Sequence, residues 1–131
     1  MTEYLDLDDL LAAAEAALGQ PAQVRDIGLL QAAAVRPQMT AFGEEAYASV
    51  DTKAAALLHS LVTSHPLVDG NKRLGWVATR LFYQLNGMDL RPSPEEAFDL
   101  VVGVADGTVT EVGAIADRLA ARHLDEREDH G

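Results

Sequence analysis

The sequence predicts an all-α fold, a compact single-domain bundle of about six helices, on three observations. Alanine is abundant while Thr and Ile are scarce, which favours helix over strand. Apolar residues recur at three- and four-residue spacing, the mark of helices that bury one face. Capping and breaking residues divide the chain into helix-length pieces, with no convincing strand pair among them. At 131 residues with 48% apolar content, the chain has the length and the material for one core. Aromatics are only 5%, so that core must be mostly Leu, Val and Ala.

The first helix is expected over Asp6 to Leu18, with Asp6 as cap, Asp8 and Asp9 at the positive helix start and Gly19 as its stop. Gln20 to Asp26 is a connector containing Pro21. A second helix covers Ile27 to Val35 and ends before Pro37, because the residue before a proline avoids helical geometry. Gln38 to Val50, interrupted by Gly43 and marked as exposed by Glu44 and Glu45, reads as a short helix or a flap-like loop. A helix from Asp51 to Ser64 follows, capped by Asp51 or Thr52, with Ala54, Leu57, Leu58, Leu61, Val62 and His65 on one face.

Pro66 breaks that helix and Asp69-Gly70 turns the chain. The next helix runs from Asn71 to Leu85, with Leu74, Val77, Ala78, Leu81, Phe82 and Leu85 as its apolar stripe and Asn86-Gly87 as its left-handed end. Ser93-Pro94-Glu95-Glu96 supplies a cap, a first-turn proline and a capping-box glutamate for a helix to Val104 or Ala105. Thr108 to Glu111 starts the last helix, which reaches His123. The domain is expected to span residues 1–124, with 125–131 a charged, frayed tail.

Several function classes are disfavoured at once. There is no cysteine, hence no disulfide and no thiolate metal site. No apolar run approaches the roughly 20 residues of a membrane span, and Met1 to Asp6 lacks the basic start and apolar stretch of a signal peptide. A cytoplasmic protein without a membrane role is the expectation. The net charge of −11 disfavours direct nucleic-acid binding. The charge is uneven, however. His65 to Arg91 carries Lys72, Arg73, Arg80 and Arg91 against Asp69 and Asp89, an excess of +2, while the remainder carries −13. A locally cationic segment in an acidic chain suggests an anion site.

That site is expected in His65-Pro66-Leu67-Val68-Asp69-Gly70-Asn71-Lys72-Arg73. One helix ends there and another begins, and a helix start presents unpaired amides and a positive dipole end. Gly70 lets backbone approach a ligand closely. Lys72 and Arg73 are cations at a helix start, where each is disfavoured by about 0.3–1 kcal/mol unless an anion is bound. Phosphate suits them, with Arg as a fork and Lys as a point charge. His65 has the chemistry to take a proton from an attacking hydroxyl. Asp69 has that to orient a hydroxyl or hold Mg²⁺ beside phosphate oxygens.

Each residue taken singly also has a plainer reading. His65 fits a core histidine, Asp69-Gly70 a simple turn, and Lys72 and Arg73 solvated surface charges. Trp76 and Tyr83 read as packing residues rather than a base-stacking platform, and His59 as solvated or capping. What favours chemistry is the gathering of base, acid, glycine and two cations within nine residues. His65 and Asp69 are spaced like some metal ligands, but Pro66 and Gly70 prevent one helix from presenting both. Walker-type, dinucleotide-binding, zincin and nucleophile-elbow patterns are absent.

The nine residues from His65 to Arg73 resemble the motif of the Fic/Doc family, in particular its death-on-curing (Doc) branch, which has Asn-Lys-Arg where AMP-transferring Fic enzymes have Asn-Gly-Arg. Arg25 to Leu30, Ala34 to Pro37, Lys53 to Leu58, Leu85 to Gly87 and the closing helices are similar too, so the resemblance covers roughly residues 3–123. It implies a compact helical domain of the Fic/Doc type. It also implies a toxin of a toxin–antitoxin pair that moves the γ-phosphate of ATP to a threonine of elongation factor Tu, halting translation. By the same resemblance His65 is the general base and Asp69 positions the acceptor hydroxyl or Mg²⁺. Gly70 and Asn71 form the anion cradle, and Lys72 and Arg73 hold the phosphates. The bulk of Lys72 is expected to reverse the pose of ATP, hence phosphoryl rather than adenylyl transfer. Leu67 stands where the family often has Phe, the loop's anchor in the core. No Ser/Thr-x-x-x-Glu-Gly/Asn inhibitory segment is found, so a separate antitoxin is implied, Phd-like or another small DNA-binding protein with some basic residues toward this acidic surface. The alternatives are an AMP- or UMP-transferring Fic enzyme, or a catalytically silent module binding nucleotide or a partner.

Overall fold

The structure, a computed structural model, describes residues 1–125. Six α-helices make up the architecture: α1 (Leu7–Leu18), α2 (Ile27–Val35), α3 (Val50–Ser64), α4 (Asn71–Leu85), α5 (Pro94–Ala105) and α6 (Val112–Ala120). The all-α expectation holds, and local chemistry explains most boundaries. The Asp6 carboxylate accepts from the Asp9 N–H at 2.8 Å, and Asp9 returns the bond to the Asp6 N–H at 2.9 Å. Asp26 caps α2 through the Leu29 N–H. Ser93 and Glu96 close the capping box of α5. Gly19 and Gly87, both at positive φ, receive the ends of α1 and α4.

Two expectations about helix ends are corrected. The cap of α3 is Ser49, and the helix begins at Val50. Thr52 is the reciprocal member of that box, and the Asp51 carboxylate accepts from the Tyr83 hydroxyl at 2.6 Å. Burial, reinforced by Asp51, raises the Tyr83 phenol above its ordinary pKa. The last helix is also shorter than expected. Thr108 closes a turn on the Asp106 carboxylate instead of capping, and Glu111 stands at the helix start. His123 has left the helix for a strand. Of the expected tail, residues 126–131 lie outside the described residues.

The expected absence of strand pairs is corrected too. β1 (Thr40–Ala41) and β2 (Glu44–Glu45) form a hairpin after the 3-10 turn Arg36–Gln38. Its two-residue tip, Phe42-Gly43, has positive φ at both positions, the primed geometry that matches strand twist. The flap-like loop anticipated between Gln38 and Val50 is this hairpin. β3 (Met88–Leu90) pairs antiparallel with β4 (His123–Asp125). Both ribbons are too short to show period-two alternation in sequence.

α3 sits at the centre. Lys53 to Leu58 is buried on all sides, and with Leu61 and Val62 it meets α2, α4, α5 and α6. Each fully buried leucine of this kind contributes about 1.5–3 kcal/mol. Lys53 is only 1% exposed; its ammonium pairs with Glu45 at 3.3 Å and donates to the Tyr47 carbonyl, tying the hairpin to α3. Arg36 secures the same region, donating to the Tyr47 hydroxyl, the Ala56 carbonyl and Ser60 Oγ. Its Nη1 also stands 2.9 Å from Nδ1 of His59. His59 is therefore a half-buried partner of Arg36 rather than a solvated or capping residue. Burial, then the Arg36 charge, lower its pKa, against an opposing pull from Glu111.

α4 turns Leu74, Gly75, Ala78, Thr79, Phe82 and Tyr83 inward. Leu81 and Leu85, expected in the stripe, are 36% and 46% exposed. The buried face is rotated toward Gly75, which lies against α3, and Thr79, which is fully buried and satisfies its hydroxyl on the Gly75 carbonyl. Trp76 packs half-buried against the core, as a packing residue.

Candidate active site

His65 is the residue at which α3 stops, with φ 54 and ψ 60. A left-handed conformation is uncommon for a residue with a side chain, and it throws the chain off the helical path one residue before Pro66. The imidazole is therefore exposed, not on the apolar face where helical spacing would put it. The core reading of His65 is overturned by this turn.

The loop from Pro66 to Gly70 is held from both sides. Leu67 is 1% exposed and anchors it in the core, as its place in the motif implies. The Leu67 N–H donates to Asn71 Oδ1 at 2.9 Å, and Asn71 Nδ2 donates to the Leu67 carbonyl at 3.1 Å. On the other side the Arg25 and Asp26 amides donate to the Pro66 carbonyl, and the Val68 amide donates to the Gln23 carbonyl. The Arg25 guanidinium reaches the last turn of α3, Nε to the His65 carbonyl at 2.6 Å and Nη2 to the Ser64 carbonyl at 2.9 Å.

Gly70 precedes α4 at φ 88, and a Cβ there would lie 2.4 Å from Leu18 Cδ2. The left-handed conformation favours glycine, and a Cβ there would also have to displace the end of the Leu18 side chain. No side chain caps α4, unlike α1, α2, α3 and α5. Its first intrahelical bond is from the Leu74 amide to the Gly70 carbonyl, so the amides of Asn71, Lys72 and Arg73 precede the ladder. The Asp69 carboxylate accepts from the Gly70 amide at 2.9 Å through one oxygen.

His65, Asp69, Gly70, Asn71, Lys72 and Arg73 all line one cavity of about 370 Å³, closed by Val62, Val68 and Ala105. Lys72 and Arg73 also border an adjoining apolar groove of about 520 Å³, with Trp76, Val77 and Phe98. The six residues singled out in the sequence are thus gathered in space. One distinction was not visible in the motif. The Asn71 side chain braces the loop, leaving its backbone amide for any anion. Nothing in the local sequence around Arg25 signals its contact 40 residues away. Among the described residues no group of three or more His, Asp or Glu stands together as a protein-held metal site would. No helix among them is long and apolar enough to cross a membrane.

Asn71→Ala is expected to leave the buried Leu67 N–H and C=O without partners, at a cost of about 1–3 kcal/mol each. Thermal unfolding measures the loss, and faster amide exchange at residues 67–70 would locate it.

Residues 4–83 match the Fic/DOC family. The chain is also 48% identical over 112 residues to Toxin Doc of Mycolicibacterium smegmatis, an alignment spanning 86% of this chain and 82% of that one. The chain therefore belongs to the Fic/DOC family, on the branch of the Doc toxin.

Proposed function

We propose that the protein is a toxin-type kinase that transfers the γ-phosphate of ATP to a threonine hydroxyl of a translation factor, elongation factor Tu by the family resemblance, and that a separate antitoxin neutralises it. The reading is carried by the uncapped start of α4 opening, with Lys72 and Arg73, on the same cavity as the exposed His65. Membership of the Fic/DOC family and the likeness to Toxin Doc support it.

In this mechanism the amides of Asn71, Lys72 and Arg73 and the two side-chain cations bind the phosphate chain. Gly70 admits it to the backbone. The adjoining groove offers the nucleoside an apolar wall. His65 takes the proton of the acceptor hydroxyl as the new O–P bond forms at the γ-phosphorus; the bond to the bridging oxygen breaks and ADP leaves. Asp69 has one carboxylate oxygen beyond its bond to Gly70, which fits it to orient the acceptor hydroxyl or to hold Mg²⁺. Asp69 would then be the protein's carboxylate for a Mg²⁺ ion brought with the nucleotide, which when bound would supply charge neutralisation.

The test is incubation with elongation factor Tu and ATP labelled separately on its γ- and α-phosphates. Label from the γ position is expected. Label from the α position would make the protein an adenylyltransferase, and label from neither would make it a silent binder. Lys72→Gly removes the bulk that distinguishes this motif from that of AMP-transferring relatives and is expected to bring α-label onto the target. A variant that transfers only γ-label would remove Lys72 as the determinant of nucleotide direction.

A further inference from the structure

We infer that Arg25 is a positioning residue for this site, holding His65 in the left-handed conformation that turns its imidazole out of α3 and toward the cavity. The inference rests on the phosphotransfer reading for its kinetic arm. Three observations carry it.

His65 is one of two described residues other than glycine with positive φ; the other, Phe42, is at the tip of a hairpin, where such a geometry is normal. A strained backbone of this kind persists only where the surroundings over-determine it. What surrounds His65 is the Arg25 fork. Nε donates to the His65 carbonyl, and Nη2 donates to the Ser64 carbonyl one residue earlier. Two donors on consecutive carbonyls fix the orientation of the peptide planes on both sides of the His65 Cα, which a single donor would leave freer to rotate.

α3 has no basic residue in its own last turn. A cation at a helix C-terminus is favourable, and here it arrives from a segment 39–40 residues upstream. That segment is itself registered on the loop, through the Arg25 and Asp26 amides on the Pro66 carbonyl and the Val24–Leu67 bridge. Arg25 is therefore placed by its backbone before its side chain acts.

Arg25 is exposed. A surface arginine contributes little to global stability, so its loss separates positioning from folding. Misplacing a reacting group by about 1 Å costs up to about 100-fold in rate.

The experiment compares wild type, Arg25→Ala, Arg25→Lys, His65→Ala and the double variant Arg25→Ala/His65→Ala, using ATP and elongation factor Tu. For Arg25→Ala, kcat is expected to fall about 10- to 100-fold with KM for ATP changed less than about twofold. Arg25→Lys keeps one donor near the carbonyls and is expected to recover part of the rate. If Arg25 acts through His65, the double variant turns over no more slowly than His65→Ala. A kcat within about twofold of wild type, a change confined to KM, or additive losses in the double variant would each overturn the inference. A wild type that transfers no phosphate would sink the proposed function instead. The His65 backbone and imidazole NMR signals then decide on Arg25 separately: displacement in Arg25→Ala supports positioning, and spectra superimposable on wild type overturn it.

Discussion

Replacing His65 with alanine is expected to lower phosphate transfer by about 10²- to 10⁴-fold, the usual contribution of a positioned general base, while the protein stays folded and still binds ATP. The side chain is exposed and no hydrogen bond to its ring is found among the described residues, so its removal opens no cavity. The left-handed conformation is somewhat less favourable for alanine than for histidine, so a modest fall in Tm is expected without loss of the fold. The proposed anion-binding elements lie elsewhere, at Gly70 and the first turn of α4. Single-turnover rates with titration of ATP affinity separate the two quantities. Turnover equal to wild type would remove the base assignment, and lost ATP affinity would mean that His65 belongs to the binding surface.

Gly75→Ala is expected to destabilise the fold, although alanine is the better helix former by about 1 kcal/mol. An added Cβ would lie 2.6 Å from Val62 Cγ2 and 3.2 Å from Leu58 Cδ1. Val62 is 1% exposed and stiff at its branched Cβ, so it has nowhere to move. Overpacking of this kind costs about 1–3 kcal/mol, which exceeds the propensity gain. Because α3 and α4 share the most extensive interface among the described elements, the separation of the helices carrying His65 and Lys72 would change with it. A lower Tm together with reduced ATP affinity is the expected result. Gly75→Leu, a larger wedge, is expected to abolish the cooperative transition. An alanine variant more stable than wild type would show that the two helices can part at no cost.

Where sequence and structure agree, a strong local signal is responsible. α2 and α4 begin and end at the expected residues because Asp26, Gly70 and the Asn86-Gly87 pair leave few alternatives. The Ser93 box fixes α5 equally well. Where they differ, several residues compete for one role or the deciding contact is distant. Ser49, Asp51 and Thr52 are all capable caps; Ser49 and Thr52 share one capping box, while Asp51 is engaged by the distant Tyr83. The hairpin tip is Phe-Gly, without the Asn or Asp that usually announces such a turn. Helical spacing put His65 on the α3 stripe because periodicity cannot register a single left-handed residue. The motif names the six residues around the cavity, but not that Asn71 faces its own loop, nor that an arginine before α2 grips the end of α3.

The seam between residues 23–26 and 65–68 has a kinetic meaning as well. Its partners are separated by some forty positions, and joining them carries the loop-closure entropy of that whole span. The helix pair that brackets the cavity is nearly contiguous in the chain and can associate without it. The seam that braces the 65–68 loop is thus expected to form later than the α3–α4 scaffold that carries it. A local opening of this seam is expected at a lower free energy than global unfolding, and faster amide exchange at residues 23–26 and 65–68 than in α3 would show it.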